Sequence, residues 1–467
     1  MKNFLLASLL LQSAFVFAQV NPEAKIVCDN GTVDPDAPRI KFYQCMAKHG
    51  SRYVPNFRDT WDYPTGWVMP NPPLPKMPIA VRLDGDTPAY PPAGINNNYS
   101  EINPNGFVVK LVYSHYPDWT RFAPANNPDL RPLDWGGASY GNNSNGWRLA
   151  GTLSKIAQSG YSVDINAGVA LTGQCYGGAA AFHQALMLPD PYWQKHISIV
   201  HVDTPGMLMV NHKVDVTLPG GNPRYSEGYY FRNPAMPYAW GSYNIAKADY
   251  LNPINLGKVD HIYFRAVGAV IEDDIGFARD FFKKVCDGQR VACYGQWYRS
   301  NHDFPDPNPT TPKWYKDSMG SRYSGPDMYV RLDLMLPIFT NSTANDWGPY
   351  GHYNMGLEWS NAKSSYIDTP TRISIPIRYR RRTGMVNTKD QPPSVKFDFT
   401  VRRTQKFELP LGKVLNWSLQ QEGLEPQSGQ ITVTKAGDLT IPGVRLKNNN
   451  KYTNIVITEA ATPARSP

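Results

Sequence analysis

The sequence predicts an α/β chain with a mainly parallel sheet and flanking helices, followed by an all-β, sandwich-like C-terminal part. Three observations carry this. Short apolar runs alternate with helix-like segments from about residue 105 to 310, which argues for strand–helix units. Beyond about residue 325 the apolar residues recur at every second position, the period of a half-buried strand. The composition leaves ample material to bury: of 467 residues 41% are hydrophobic, with 12 Trp, 28 Tyr and 18 Phe, so a disordered chain is excluded. The 37 Gly and 42 Pro, with only 18% charged residues, point to long loops between these elements.

The N-terminus, Met1-Lys2-Asn3 followed by an apolar run from Phe4 to Phe17 and then Ala18-Gln19, has the form of a secretory signal. Residues 1–18 are expected to be removed and the mature protein exported, secreted or periplasmic. No later stretch approaches the roughly 20 apolar residues of a membrane span. Export places five cysteines in oxidising surroundings, where cysteines pair. Local pairing would join Cys28 to Cys45 and Cys286 to Cys293, leaving Cys175.

Residues 19 to 105 are turn-rich, with short strands and long loops expected. Phe107 to Tyr113 is a clear strand. Leu149, Leu153, Ile156 and Ala157 recur at helical spacing before a stop at Gly160. Gly168 to Thr172 reads as a buried strand, and Ala179 to Leu188 as a helix ended by Pro189. Strands follow at His196–Val202, His261–Val267 and Val291–Trp297, with a helix at about 275–286 between the last two. After the switch to period two, the strands are marked by Ile373/Ile375/Ile377, Val395/Phe397/Phe399/Val401, Ile431/Val433 and Ile455/Ile457. The resulting organisation is residues 1–18 signal, 19–324 catalytic part with a loop-rich start, and 325–467 a basic β module. Residues 371–467 hold 16 Lys and Arg against 7 Asp and Glu, so the net charge of +8 resides there. An anionic surface contact through this part follows, and no nucleic acid is expected. The run Arg378, Arg380, Arg381, Arg382 reads as a charged strand edge.

The chemistry centres on Gly173-Gln174-Cys175-Tyr176-Gly177-Gly178, between the strand at 168–172 and the helix from Ala179. A strand ending in Gly-x-nucleophile-x-Gly and opening into a helix is a nucleophile elbow. The sharp turn needs small residues on either side, and the N–H after the nucleophile faces the oxyanion. Cys175 is then the nucleophile and Tyr176 an oxyanion donor, with the positive end of the helix favouring thiolate. A free cysteine is otherwise most often a small buried hydrophobe.

On these residues the chain resembles the α/β-hydrolase superfamily, with Cys in place of the usual Ser. Gly-x-Cys-x-Gly-Gly is similar to the elbow of dienelactone hydrolases and of certain polyhydroxybutyrate depolymerases. The resemblance implies an α/β-hydrolase fold over about residues 105–310 and a Cys-His-Asp triad in the order nucleophile, acid, His. His302 then fits as base, after the strand at 291–297, with His352 in reserve. The acid falls to Asp274 or Asp273 after the strand at 261–267, each also a good helix N-cap, with Asp203 as a further candidate. A second oxyanion donor is expected after the strand at 107–113, at His115 or Tyr116. The expected reaction is hydrolysis of a carboxylic ester, of a polymer if secretion and the added β part suit an insoluble target. A thiol peptidase or amidase would use the same triad, and a non-catalytic binding protein the same scaffold. No cofactor is called for. Asp346, His352 and Glu358 match no metal-site spacing, so no metal is expected.

Overall fold

The computed structural model describes residues 25–28, 32–34, 37–48, 64–70, 73, 75–84, 107–112, 144–174, 181, 184, 185, 188, 190–203, 257–269, 281–298, 330–347, 351–360, 363–380, 392–449 and 451–460. The signal segment, Cys175, Tyr176, His115, Tyr116, Asp273, Asp274 and His302 lie outside the described residues.

Ten strands form most of one large sheet. They are β1 (Lys25–Cys28), β2 (Thr32–Asp34), β3 (Ala37–Lys48), β4 (Pro64–Pro70), β5 (Ile79–Asp84), β6 (Phe107–Val112), β7 (Val169–Gln174), β8 (Ile197–Asp203), β9 (Tyr263–Ala269) and β10 (Ala292–Tyr298). The chain then leaves for another sheet as β11 (Leu336–Thr340) and returns as β12 (His352–Tyr353), antiparallel to β10. The eleven strands run β1-β3-β4-β6-β5-β7-β8-β9-β10-β12, with β2 beside β3. From β6 to β10 every pairing is parallel, while β1 to β4 add an antiparallel flank. The turn-rich reading of residues 19–105 therefore missed a 12-residue strand and also β5, which sits in the middle of the sheet. Pro75 and Pro78 just ahead of β5 signalled a loop, yet burial of Ile79, Val81 and Leu83 on both neighbouring strands overrides that local signal.

The register puts Cys28 opposite Cys45 across the β1–β3 pair. Cys286 and Cys293 are bonded, their Cα atoms 5.9 Å apart, and the bridge closes the turn that leads into β10.

Helices cover one face. In α1 (Ser144–Ala157) Leu149, Leu153 and Ile156 are buried against Ile79, Val81 and Leu171. In α2 (Pro191–Lys195) Pro191 holds the first turn, where its missing N–H costs nothing, and Asp190 caps it by accepting from the N–H groups of Tyr192 and Trp193 at 2.9 and 3.4 Å. Trp193 Nε1 donates to Ser154 Oγ at 2.8 Å, tying α2 to α1. A π-type helix at Phe281–Asp287 replaces the C-terminal half of the expected 275–286 helix. Its Phe282 packs over Gly295, where any side chain would collide with the ring.

The other face departs from expectation, because strands cover it. Ala170, Ile199, Tyr263, Ala292 and Tyr294 of the large sheet share one core with β11 and the strands that follow. Those are β13 (Leu357–Trp359), β14 (Ile367–Thr369), β15 (Arg372–Tyr379), β16 (Ser394–Arg402), β17 (Val414–Leu419), β18 (Gln427–Thr432), β19 (Leu439–Lys447) and β20 (Thr453–Glu459). They form two antiparallel sheets, β11-β16-β19 and β13-β15-β20-β17-β18, with β14 beside β15. Val395, Phe397, Phe399, Leu439, Ile441 and Val444 of the first meet Ile373, Ile375, Ile377, Ile455 and Ile457 of the second.

Polar groups stitch this cover to the large sheet. Arg402 donates to the carbonyls of Asp260 and Gln289 at 3.0 and 3.4 Å while Nε pairs with Asp438 at 2.7 Å. Asn354 Nδ2 donates to the carbonyls of Cys293 and Phe339. Asp287 accepts from Tyr353 Oη at 2.5 Å and the N–H of Asn341 at 2.7 Å, and burial raises its carboxyl. Arg331 forks onto Asp164 and Asp333. Burial works to raise Asp164, but Arg331 and Lys76 outweigh it and hold the carboxyl below its usual range.

Arg378 and Arg380 are not on a solvated edge, and Arg381 and Arg382 lie outside the described residues. β15 lies between β13 and β20, and Arg378 and Arg380 pair with buried Glu358 at 2.6 and 3.2 Å. Arg378 also stacks over Tyr452, 4.3 Å from the ring centre.

Candidate active site at the carboxyl ends of the parallel strands

In an open parallel sheet, ligands bind beyond the carboxyl ends of the strands, where the strand order reverses direction. Here the chain steps from β5 to β6 on one side, then returns to place β7 on the other side of β5 and continues outward through β8, β9 and β10. The switch point is therefore between β5 and β7. β7 ends at Gln174, so the elbow hexapeptide straddles the end of that strand, with Cys175 the next residue.

Each strand reaches this edge for a local reason. Gly168 opens β7 with φ +76°, and a side chain there would strike Ser198 on β8. Thr172 Oγ1 donates to the Val81 carbonyl at 3.0 Å, fixing β7 to β5 below the switch point. After the elbow, Ala181, Gln184 and Ala185 are helical and buried, and Leu188 N–H donates to the Gln184 carbonyl. Gln194 Nε2 ties that helix down, donating to the carbonyls of Ala185 and Lys258 at 3.0 and 2.8 Å.

The register aligns the strand ends. Gln174 pairs with Asp203, Asp203 with Val267, and Val267 with Gln296. One step below lies a polar row across the strand-covered face: Thr172, His201, Arg265 and Tyr294. His201 and Arg265 are buried, and the Arg265 guanidinium lies 5.4 Å from the Tyr294 ring centre. Sequence reasoning passed over this row. The signal was Arg265 itself, a charge within the apolar run Ile262 to Val267.

His352, the reserve base, is on β12 at the far edge, opposite Gln296. Four strand spacings, about 19 Å, separate it from β7, too far for proton exchange with Cys175. Its backbone bridges Asp346, and Glu358 is taken by two arginines, so these three residues do not converge on a metal. Among the described residues no group of three His, Cys, Asp or Glu could hold a metal ion, and no helix is long and apolar enough to cross a membrane. His196 and His261 precede β8 and β9, at the opposite end of the sheet. Burial lowers both, His261 to about 4, with the Arg403 charge adding to the effect at His261.

Among solved structures the chain is similar to an acetyl xylan esterase from Paenibacillus sp. R4, at 15% identity and TM-score 0.37 over 63% of this chain and 87% of that one. It is also similar to acetyl xylan esterase 1 from Thermoanaerobacterium sp. JW/SL YS485, at 13% identity and TM-score 0.35 over 61% and 85%. A third is an S-formylglutathione hydrolase from Agrobacterium tumefaciens, at 13% and 0.34 over 56% and 89%. No protein-family model matches this chain, and no curated protein does. Likeness this distant says nothing of the reaction.

Proposed function

We propose that the protein is an exported carboxylic ester hydrolase of the α/β-hydrolase type that works through a Cys175-His302-Asp triad. The observation that carries this is the position of the elbow sequence at the end of β7, beside the switch point of the sheet. In this reading His302 takes the Cys175 proton, the thiolate attacks the ester carbonyl, and the alcohol leaves with that proton. Water activated by His302 then releases the acyl group.

Chain reach supports the triad. His302 lies four residues past β10, and β10 is three strands from β7, about 14 Å; four extended residues span up to about 14 Å. Asp273 and Asp274 lie four and five residues past β9, with only two strand spacings to cover. Asp203, the last residue of β8, pairs by register with Gln174 and Val267. Asp274 or Asp273 is the favoured triad acid, with Asp203 as the further candidate. Tyr176 N–H is one oxyanion donor. For the second, β5 separates β6 from β7, so His115 or Tyr116 would have to cross a strand end. The segment leaving β5 after Asp84 begins beside β7 and is the better source. The substrate is an ester, polymeric if the exported protein meets an insoluble target.

The test is iodoacetamide labelling of the folded, non-reduced protein together with turnover of a p-nitrophenyl ester series. Cys175 should be alkylated rapidly at neutral pH, and Cys175→Ala and His302→Ala should each lose at least about a thousandfold in kcat. Among Asp273→Asn, Asp274→Asn and Asp203→Asn, the first or second should match His302→Ala. An unreactive Cys175 with no ester turned over, or Cys175 in a native disulfide, sinks the proposal.

A further inference from the structure

The C-terminal sheets carry the basic excess of the chain, and six of the cations described there are held in ion pairs. Arg378 and Arg380 pair with Glu358, Arg402 with Asp438, Lys413 with Glu459, Lys435 with Asp260 and Asp438, and Lys451 with Glu422. Among the described residues Lys396, Arg445 and Lys447 have no such partner, and all three are exposed.

The register gathers them. Lys396 on β16 stands directly opposite Arg445 on β19, and Lys447 follows two residues on, on the same face, opposite Ser394. Val395, Phe397, Val444 and Leu446, at the intervening positions, are buried on the other side, which fixes the three cations outward. Like charges directly opposite on a strand pair are destabilising, yet no carboxylate relieves them. The next residue on that face, Asp398, is engaged by Asn341 Nδ2 at 2.8 Å and the Gly443 N–H at 2.9 Å. The Lys396 stem lies over Gly443, where even a Cβ would crowd it. The base is rigid: Gln427 and Gln421 each bond both the N–H and the carbonyl of Arg445 and Lys447 respectively, closing the free edge of β19.

We propose that Lys396, Arg445 and Lys447 form a docking surface for a linear acidic polysaccharide. Three cations side by side on one strand pair fit anionic groups repeated along an extended chain. A membrane surface fits less well, because the exposed large apolar residues among those described are Ile367, Leu411 and Val414, none of them on β16 or β19. Single-stranded nucleic acid fits less well too, since the patch presents no aromatic platform for bases.

The test is binding of the full-length mature protein to polygalacturonate by affinity electrophoresis or calorimetry. Affinity should fall steeply between about 50 and 200 mM salt, as for any contact driven by counterion release. Reversal of all three to Glu should weaken binding about tenfold or more, and the Gln variants should weaken it less but in the same direction. Reversal of Arg372 and Lys406, exposed cations elsewhere, should change it less than about threefold. The Gln variants, which remove mutual repulsion, should melt no lower than the parent and so separate loss of charge from loss of fold. Equal loss from both sets of reversals, unchanged binding by the triple variants, or tighter binding to phosphatidylglycerol vesicles or a single-stranded oligonucleotide would overturn the proposal.

Discussion

The two faces of the large sheet are covered in different ways. On one, α1, α2 and the helix after the elbow present apolar ridges, tied by a few hydrogen bonds from Trp193 and Gln194. On the other, strands replace helices, and the interface mixes an apolar row with Arg402, Asn354, Asp287, Arg331 and the polar row of Thr172, His201, Arg265 and Tyr294. A helix satisfies its own backbone and needs only apolar contact. A sheet laid over strand-connecting turns leaves carbonyls such as those of Asp260, Gln289 and Cys293 to be met by side chains. The strand-covered face should therefore depend on individual polar residues far more than the helix-covered one.

Removing residues 325–467 is the strongest way to break the comparison. It would expose Ile199, Tyr263 and Tyr294 and take β12 from the sheet edge, so the remaining chain should show no cooperative thermal transition. Next, Arg402→Met should cost about 3–5 kcal/mol in denaturant unfolding, because it removes three bonds from a charged donor and leaves buried Asp438 only the exposed Lys435. Leu153→Ala on the helix face should cost about 2–5 kcal/mol through its cavity alone. Equal sensitivity of the helix face to polar and apolar substitutions would erase the contrast.

A pH series sharpens it further. His261 titrates at about 4 in the fold against 6.5 outside it, chiefly because it is buried, and secondarily because of Arg403. The unfolded chain thus takes up the proton first. Stability should be complete above pH 6.5 and fall as pH drops towards 4, by up to about 3 kcal/mol. His196, shifted in the same direction, should add to the slope. Denaturant midpoints of the parent and His261→Gln between those values are the measurement; the variant should show the shallower slope. The smallest effect is expected from Gln421→Ala with Gln427→Ala. Each loses two bonds to the β19 edge, together worth about 1 kcal/mol per side chain at this largely exposed edge, and the freed edge should raise self-association seen by light scattering.

Much of the candidate site is legible from local pattern. The elbow stands out because its glycines, its apolar strand and its following helix are adjacent in sequence, and the strands at 197–203, 263–269 and 292–298 are found within two residues of their periodic signal. Arg378 shows where local reading stops, since a basic run looks the same whether it meets water or a buried Glu358 twenty residues away. The same holds for His352, which chain order allows as a reserve base until the sheet order places it four strands from β7.

By itself the sequence determines the strands β6 to β10 and the buried face of α1, where the elbow sequence lies, and that the basic excess sits in the last fifth of the chain. Those properties depend on neighbours within a few residues. Only the tertiary structure decides that β5 rather than β6 adjoins β7, that strands and not helices cover the second face, and which unpaired cations stand side by side. Each of these is a choice among long-range pairings whose energies depend on which faces meet, and no local spacing encodes it.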